Sequence, residues 1–526
     1  MKTLILDNIE KKCGEILRQE GFEVIEKQKL SKDELKSEIR DYEVVLVRSA
    51  TKLTGDILEC ANKLKLIGRA GAGVDNIDLD AATRKGIIVM NTPGGNTISA
   101  AEHTCAMILA VARLLPQAHA ELKQGIWDKK KWLGRELEGK TLAVVGLGKI
   151  GREVALRMQA FGMHIIAFDP MVSQEMASKL DIQLLPLEEL WRKADFITIH
   201  TPYSEATRNL ICAETLALMK PGVRIINCAR GGIINEQDLA EAVASGKVAA
   251  AALDVFEVEP LLPDNPLLKL ENVIVTPHIA ASTVEAQEKV AIQIAQQIVE
   301  WKKTGALVGA VNATTVELAQ KTEVKVHLAL AEKLGAMCAQ LLDGTPKSIT
   351  ITSYGDFLRK FSEAISAAAL KGLLDEIQHR EINYINVFAM ASDLGLAVHH
   401  QHEKEHPDYQ NLIVVEYETS EAKKRLGGVV LGAKDMRVVI YDHFICEFKP
   451  EGYILIYTND DKPGVMARVG ARLLRASINI ANISLSRNEE KTKALTAICL
   501  DEAISPVTLK RISEVEGVYS PRLIKV

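Results

Sequence analysis

Three polar residues each follow an apolar, β-branched run: Arg230 in NCARGG, Glu259 in DVFEVEP and His278 in TPHIAAS. At strand ends of an open parallel sheet, such positions face a ligand crevice. An imidazole suits removal of a hydroxyl proton near neutral pH. A carboxylate behind it fixes its tautomer and stabilises the imidazolium. A guanidinium can hold a carboxylate through two parallel N–H bonds and polarise a neighbouring carbonyl. Together the three suit oxidation of an alcohol that carries a carboxylate. The same residue types also suit a structural histidine with two surface ion-pair partners, and spacing alone leaves both readings open.

A second constellation points to the oxidant. Gly146-Leu147-Gly148-Lys149-Ile150-Gly151 follows TLAVV and opens a helical pattern, and Asp169 ends the next strand. Gly146 allows the tight turn, Gly148 lets backbone amides approach a pyrophosphate, and Gly151 lets helix and strand pack closely. The helix N-terminus adds amide donors and positive dipole. Asp169 would accept both ribose hydroxyls and repel a 2′-phosphate, which favours NAD over NADP.

Other candidates read more plainly. The eight cysteines are scattered without a CxxC pair, which suits reduced thiols better than a disulfide or zinc framework. Cys228 beside Arg230 suits a backbone contact rather than a nucleophile. His399, His400 and His402 with His406 suggest a metal cluster, but Pro407 and the polar run HEKEHPDYQ read as a solvated loop, so no metal is expected.

These residues need a large scaffold. At about 150 residues per domain, 526 residues make three to four domains. The net charge of −5 and pI near 6.2 argue against a chain built for nucleic acid or an anionic membrane. Mean hydropathy is +0.05, and no apolar run approaches the ~18 residues of a bilayer span. The start MKTLILDNIEKKCGE reads as a strand entering a helix rather than a signal peptide, so a cytoplasmic enzyme is expected.

Residues 1–98 alternate strands (3–7, 44–47, 65–68, 87–91) with helical stretches, the pattern of a parallel sheet with helices on its faces. An Ala-rich helix is expected from Ile98 to Ala120. A second series has strands at 141–146, 164–169, 196–200, 224–229, 250–255 and 272–277, and another long helix follows at 284–302. The fold class is therefore α/β, with two doubly wound parallel-sheet domains. One is formed by 1–98 plus 285–313, and the other (99–284) is inserted into it. Residues 314–449 are expected as an α+β domain with strands at 413–418, 427–432 and 437–442, and 452–526 as a βαββαβ sandwich.

RAGAGVDNID (69–78), GLGKIG, HTP (200–202), NCARGG, ALDVFEVEP (252–260) and TPHIAAST (276–283) resemble the D-isomer-specific 2-hydroxyacid dehydrogenases, densely over about 40–313. The resemblance implies a Rossmann NAD domain at 99–284 inside a substrate domain. It implies that His278 is the acid/base, Glu259 its partner and Arg230 the carboxylate binder. It also implies cofactor contacts from Gly146, Gly148, Lys149, Ile150, Gly151, Asp169, Thr201, Cys228, Ala229, Arg230, Asp254, His278, Ile279, Ala280 and Ala281. Ala72 departs from relatives that carry a threonine there, so that hydroxyl contact is absent.

Within the family, NTPGGNTISAAEHT (91–104) and the two C-terminal domains are similar to long-form members that oxidise 3-phospho-D-glycerate to 3-phosphooxypyruvate at the entry to phosphorylated L-serine biosynthesis. That similarity implies Arg48, Ser49, Arg69, Asn96 and Arg230 around the substrate, with Lys129, Lys130 and Lys131 as further phosphate candidates or a solvated charge run. It implies that 314–449 is an intervening allosteric substrate-binding-like domain. The last part resembles an ACT regulatory domain, in which Asn459, Asp461 and Asn479 would hold an effector such as L-serine. A homotetramer or dimer is expected. Two rivals remain: a dehydrogenase for another D-2-hydroxyacid such as 2-hydroxyglutarate or glycerate, and a non-catalytic NAD sensor.

Overall fold

The computed structural model describes residues 1–28, 30–378 and 381–526. Among them the strands form four sheets, of five, seven, six and four strands. The first is parallel, in the order Glu23–Glu26, Lys2–Ile5, Val44–Val47, Leu66–Arg69, Ile88–Met90. Val44 to Val47 are all buried, as a strand covered on both faces requires.

The second sheet is also parallel, in the order Val273–Val275, Val248–Leu253, Val223–Asn227, Phe196–Ile199, Thr141–Val145, His164–Phe168, Gln183–Leu184. Strand order reverses beside Thr141–Val145, and a crevice opens at such a switch point. Side chains alternate between two cores. Ala143, Val145, Ile197 and Ile225 face one, and Leu142, Val144, Phe196 and Ile226 the other.

Two helices tie these units together. Thr97–Arg113 leaves the first unit and buries Ala101, Cys105, Ile108 and Val111 in the second core. Val284–Thr304 returns and packs Val290, Ile294 and Ile298 against Val44, Leu46 and Met90. Asn312 then accepts the Val89 N–H and donates to the Ile87 carbonyl, so residues past 304 complete the first unit.

The helix expected over 98–120 breaks at Leu114, which is left-handed (φ 50°), and a second helix, Leu115–Lys123, starts at a bend of 65°. Pro116 lacks the N–H that would continue the ladder to Ala112, and the Arg135 N–H takes that carbonyl instead. Among the described residues no single helix is long and apolar enough to cross a membrane.

The six-stranded sheet runs Ala397–Glu403, Pro346–Tyr354, Leu412–Thr419, Lys423–Leu431, Asp435–Tyr441, Phe444–Phe448. Helices Lys325–Gln340 and Ser362–Ile377 cross tightly on one face of it. Gly335 meets the Ala369 carbonyl there and Gly372 meets that of Glu332, so a Cβ at either would collide. Three of its strands were not evident from the sequence. Ala397–Glu403 corrects the loop expected for the histidines: His399, His400 and His402 lie on a parallel edge strand beside Pro346–Tyr354. An edge strand with little buried surface carries a polar sequence, so alternation does not reveal it. Among the described residues no group of three or more His, Cys, Asp or Glu could hold a metal.

The last sheet is antiparallel, in the order Ile480–Arg487, Lys493–Leu500, Tyr453–Asp460, Val518–Lys525. One face is covered by helices Val465–Arg475 and Pro506–Ser513. The other places Ile454, Ile456, Leu495, Ala497 and Ile524 in the core of the preceding unit, so these two C-terminal units share one interior.

Candidate active site

The glycine loop lies at the switch point of the seven-stranded sheet. Gly146 takes φ 97°, closed to most side chains, and a Cβ on Gly151 would collide with the Gly146 carbonyl. Gly148 faces open space and precedes the helix Lys149–Ala160, whose first amides have no partner within the helix. Asp169 Oδ2 accepts the Leu147 N–H (2.8 Å) and Oδ1 the Met171 N–H (2.8 Å), which ties it to the loop. Each oxygen keeps a lone pair for a sugar hydroxyl. Thr201 Oγ1 is buried without a hydrogen-bond partner among the described residues. These groups fit a dinucleotide.

Buried Asn227 holds the turn Cys228-Ala229-Arg230, accepting the Ala229 N–H and donating to the Arg230 carbonyl. Burial pushes the Cys228 thiol up to about 12, which disfavours the thiolate a nucleophile would need.

His278 Nδ1 lies 2.7 Å from Glu259 Oε2, and Glu259 Oε1 accepts the Phe256 N–H at 3.1 Å. The hydrogen bond to Glu259 raises the His278 pKa above its ordinary value, against the opposing effect of burial. For Glu259, burial pulls upward, but the bonds from His278 and the Phe256 amide leave it below its ordinary value. The pair therefore favours an ionised carboxylate beside an imidazole that holds a proton well.

His278 itself sits in the left-handed region (φ 53°), a conformation the surroundings must hold. Asp254, fully buried, does so: Oδ1 accepts the Ile279 N–H and the Thr276 hydroxyl, and Oδ2 accepts the Ala280 N–H.

Three arginines lie near one another, and of them Arg230 is close enough for its charge to act on His278. Arg230 Nε is 3.1 Å from Asp75 Oδ2, and its Nη1 donates to the Ala229 carbonyl. A Cβ on Gly73 would overlap the Arg230 guanidinium, and one on Gly71 that of Arg69. Arg69 Nε is buried with no hydrogen-bond partner among the described residues. Burial pulls its pKa down to about 10, and the Arg230 and Arg48 charges add to this. The orphaned Arg69 Nε within a cationic cluster has a donor to offer an anion. Arg48 is held through its backbone: Asp7 accepts the Arg48 N–H, and Asn76 donates to the Arg48 carbonyl. A cleft of about 940 Å³ between the two parallel-sheet units is lined by Ser49, Thr51, Lys52, Phe256, Glu259 and His278. Asn96 precedes the first inter-unit helix without using its side chain as a cap.

Other expected residues do not gather there. Lys131 is committed to Glu121 and Glu271, and Lys129 lies over the Trp127 ring. In the last sheet, Asn459 is consumed internally: Oδ1 accepts the Thr496 hydroxyl and Nδ2 donates to the Asp460 carbonyl. Asp461 pairs with Arg487, and Asn479 donates to Asp501. Asn459 pairs with Ala494, whereas Ile480, next to Asn479, pairs with Leu500. That spacing along one strand is about 20 Å, so one chain does not assemble these three around a single amino acid.

Sequence reasoning missed Asp7, Asn76, His103, Asn227 and Lys52. Their types gave no signal, because most of them act on backbone or on residues distant in sequence.

The comparisons agree with this geometry. Residues 105–280 match the D-isomer specific 2-hydroxyacid dehydrogenase, NAD binding domain, and residues 323–441 the D-3-phosphoglycerate dehydrogenase intervening domain. The D-3-phosphoglycerate dehydrogenase of Archaeoglobus fulgidus is 40% identical over 100% of both chains. That of Sus scrofa is 48% identical over 78% of this chain and 77% of its own. The D-lactate dehydrogenase of Aquifex aeolicus, solved with NAD and lactic acid, has a TM-score of 0.53 at 31% identity and covers 59% of this chain and 98% of its own. The chain belongs to the D-isomer-specific 2-hydroxyacid dehydrogenases and is an NAD-binding oxidoreductase. Within that family, its full-length relatives place it with the D-3-phosphoglycerate dehydrogenases.

Proposed function

We propose that the chain oxidises 3-phospho-D-glycerate to 3-phosphooxypyruvate, opening phosphorylated L-serine biosynthesis. The observation that carries this reading is the orphaned Arg69 Nε beside Arg230 and Arg48, with the Arg230 charge felt by the His278–Glu259 pair. The substrate offers two anionic groups around one secondary hydroxyl, and this site offers several cations around one base. Arg230 holds the carboxylate bidentately and polarises the forming carbonyl. Arg69 and Arg48, with Ser49 and Asn96 nearby, neutralise the phosphate. His278 turns Nδ1 to Glu259, which leaves Nε2 to take the hydroxyl proton, and Glu259 stabilises the imidazolium. The 146–151 loop, Asp169, Asp254 and the 278–281 segment would hold NAD, which would supply the hydride acceptor. A kinetic screen with 3-phospho-D-glycerate, D-2-hydroxyglutarate and D-glycerate tests the reading. A higher kcat/KM for either non-phosphorylated acid overturns it.

Asp169 sets cofactor choice in this proposal. Asp169→Asn removes the negative charge facing a 2′-phosphate, so the NAD over NADP preference is expected to fall about tenfold, the scale of one charged hydrogen bond. Wild-type enzyme that already uses both cofactors equally contradicts the assignment.

The finer reading of the C-terminal part is an ACT domain that binds L-serine between two copies of the chain in a homodimer or tetramer. The roughly 20 Å between Asn459 and Asn479 supports a site completed by a second copy. Calorimetry with L-serine is expected to give heat from the full chain and none from Asn479→Ala. A point variant is the suitable control, because truncation near Pro450 would expose the shared core. Absence of heat from the full chain leaves this sheet as structure alone.

A further inference from the structure

The helix Thr97–Arg113 that joins the two parallel-sheet units carries a side chain that the chemistry above does not use. His103 is largely buried (19% exposed) and points its Nε2 at the loop behind His278. Nε2 is 3.3 Å from Thr276 Oγ1 and 3.5 Å from Asp254 Oδ1. The Thr276 hydroxyl spends its only proton on Asp254 Oδ1 at 2.6 Å. Thr276 Oγ1 can therefore only accept from the ring, which assigns the Nε2–H tautomer to His103. Asp254 Oδ1 then takes the Ile279 amide and the Thr276 hydroxyl with the ring N–H 3.5 Å away, and Oδ2 takes the Ala280 amide.

We infer that His103 is a positioning residue: its Nε2–H orients the Thr276 hydroxyl and the Asp254 carboxylate, and through them the 276–280 segment that presents His278 and the nicotinamide end of NAD. Thr276, Ile279 and Ala280 all bond to Asp254, and His278 lies among them in a left-handed conformation. A shift of Asp254 therefore moves the acid/base and the cofactor contact together. The ring also links the inter-unit helix to this segment, so the orientation of the loop follows the seating of that helix. Leucine at 103 would fill similar space in a good helix former and supply no donor. A glutamine amide extends far enough to replace Nε2–H.

The inference rests on the proposed roles of Asp254 and His278, and its primary readout does not depend on the substrate. In fluorescence titrations, His103→Leu is expected to bind NADH about fivefold more weakly, the scale of one or two net hydrogen bonds. Its kcat is expected to fall by a similar factor, with KM for 3-phospho-D-glycerate within about twofold. His103→Gln should recover most of both losses, and thermal melting should show all three proteins folded. A leucine variant equal to wild type overturns the inference. So does equal impairment of the leucine and glutamine variants, which would assign the effect to packing. If wild type fails to turn over 3-phospho-D-glycerate, the proposed substrate falls, while the NADH titrations still decide the role of His103.

Discussion

His278→Ala is expected to lower kcat by at least ~10²-fold while NADH binding stays within a few-fold, the scale of lost general acid/base catalysis. Nδ1 is occupied by Glu259 at 2.7 Å, so in the proposed mechanism Nε2 is the atom that meets the hydroxyl. Alanine removes that base and leaves the Asp254 framework in place, because Asp254 bonds the Ile279 and Ala280 amides rather than the imidazole. The pH dependence gives a second reading of the pair. Oxidation uses neutral imidazole, so kcat rises as pH passes the His278 pKa. The hydrogen bond to Glu259 holds that pKa above its ordinary value. Glu259→Gln removes the carboxylate, so the rise should move to lower pH. In the reverse direction the imidazolium is the reactive form, and its falling limb should move to lower pH as well. Near-normal turnover by the His278 variant, or unchanged limbs in the Glu259 variant, would remove these residues from the mechanism.

The parts of this site that were legible in the sequence are those whose chemistry is local. The glycine loop, Asp169, Arg230, Glu259 and His278 stand at strand ends, and strand ends can be counted from hydrophobic runs. What escaped are groups that act across the fold. Asp7 bonds a backbone amide 41 residues away, and His103 faces a hydroxyl 173 residues away. No spacing announces such contacts, since topology alone brings the partners together. The break at Leu114 shows a related limit. Ala-rich periodicity continues through Pro116, but the missing N–H and the claim of Arg135 on the Ala112 carbonyl end the helix. The edge strand Ala397–Glu403 was hidden for the opposite reason, because most of its side chains face solvent and its polar composition matches a loop. The effector candidates form a motif, yet a motif carries no distance, and the sheet puts Asn479 and Asn459 beside opposite ends of the strand Lys493–Leu500.

Arg230→Gln is expected to reduce kcat/KM for 3-phospho-D-glycerate by ~10² to 10³-fold, the range for truncating one partner of a desolvated, hydrogen-bonded charge pair. Magnitudes decide why its present partner does not forestall this. Asp75 is 67% exposed, and an exposed ion pair contributes about 0 to 1 kcal/mol. A substrate carboxylate held inside the cleft is shielded from water and can engage two N–H groups at once, so it displaces Asp75 readily. The contact from Nη1 to the Ala229 carbonyl keeps the guanidinium near its working position during the exchange. Arg230→Lys restores the charge without the planar fork, so it should recover only part of the loss. Asp75→Asn, which removes the tether alone, should change kcat/KM by a few-fold at most. In the proposed mechanism the guanidinium also polarises the forming carbonyl, so the glutamine variant should lose kcat as well as substrate affinity. A variant that loses affinity alone would reduce Arg230 to an anchor, and one that keeps kcat/KM within a few-fold would place the carboxylate elsewhere, with Arg69 the next guanidinium in reach.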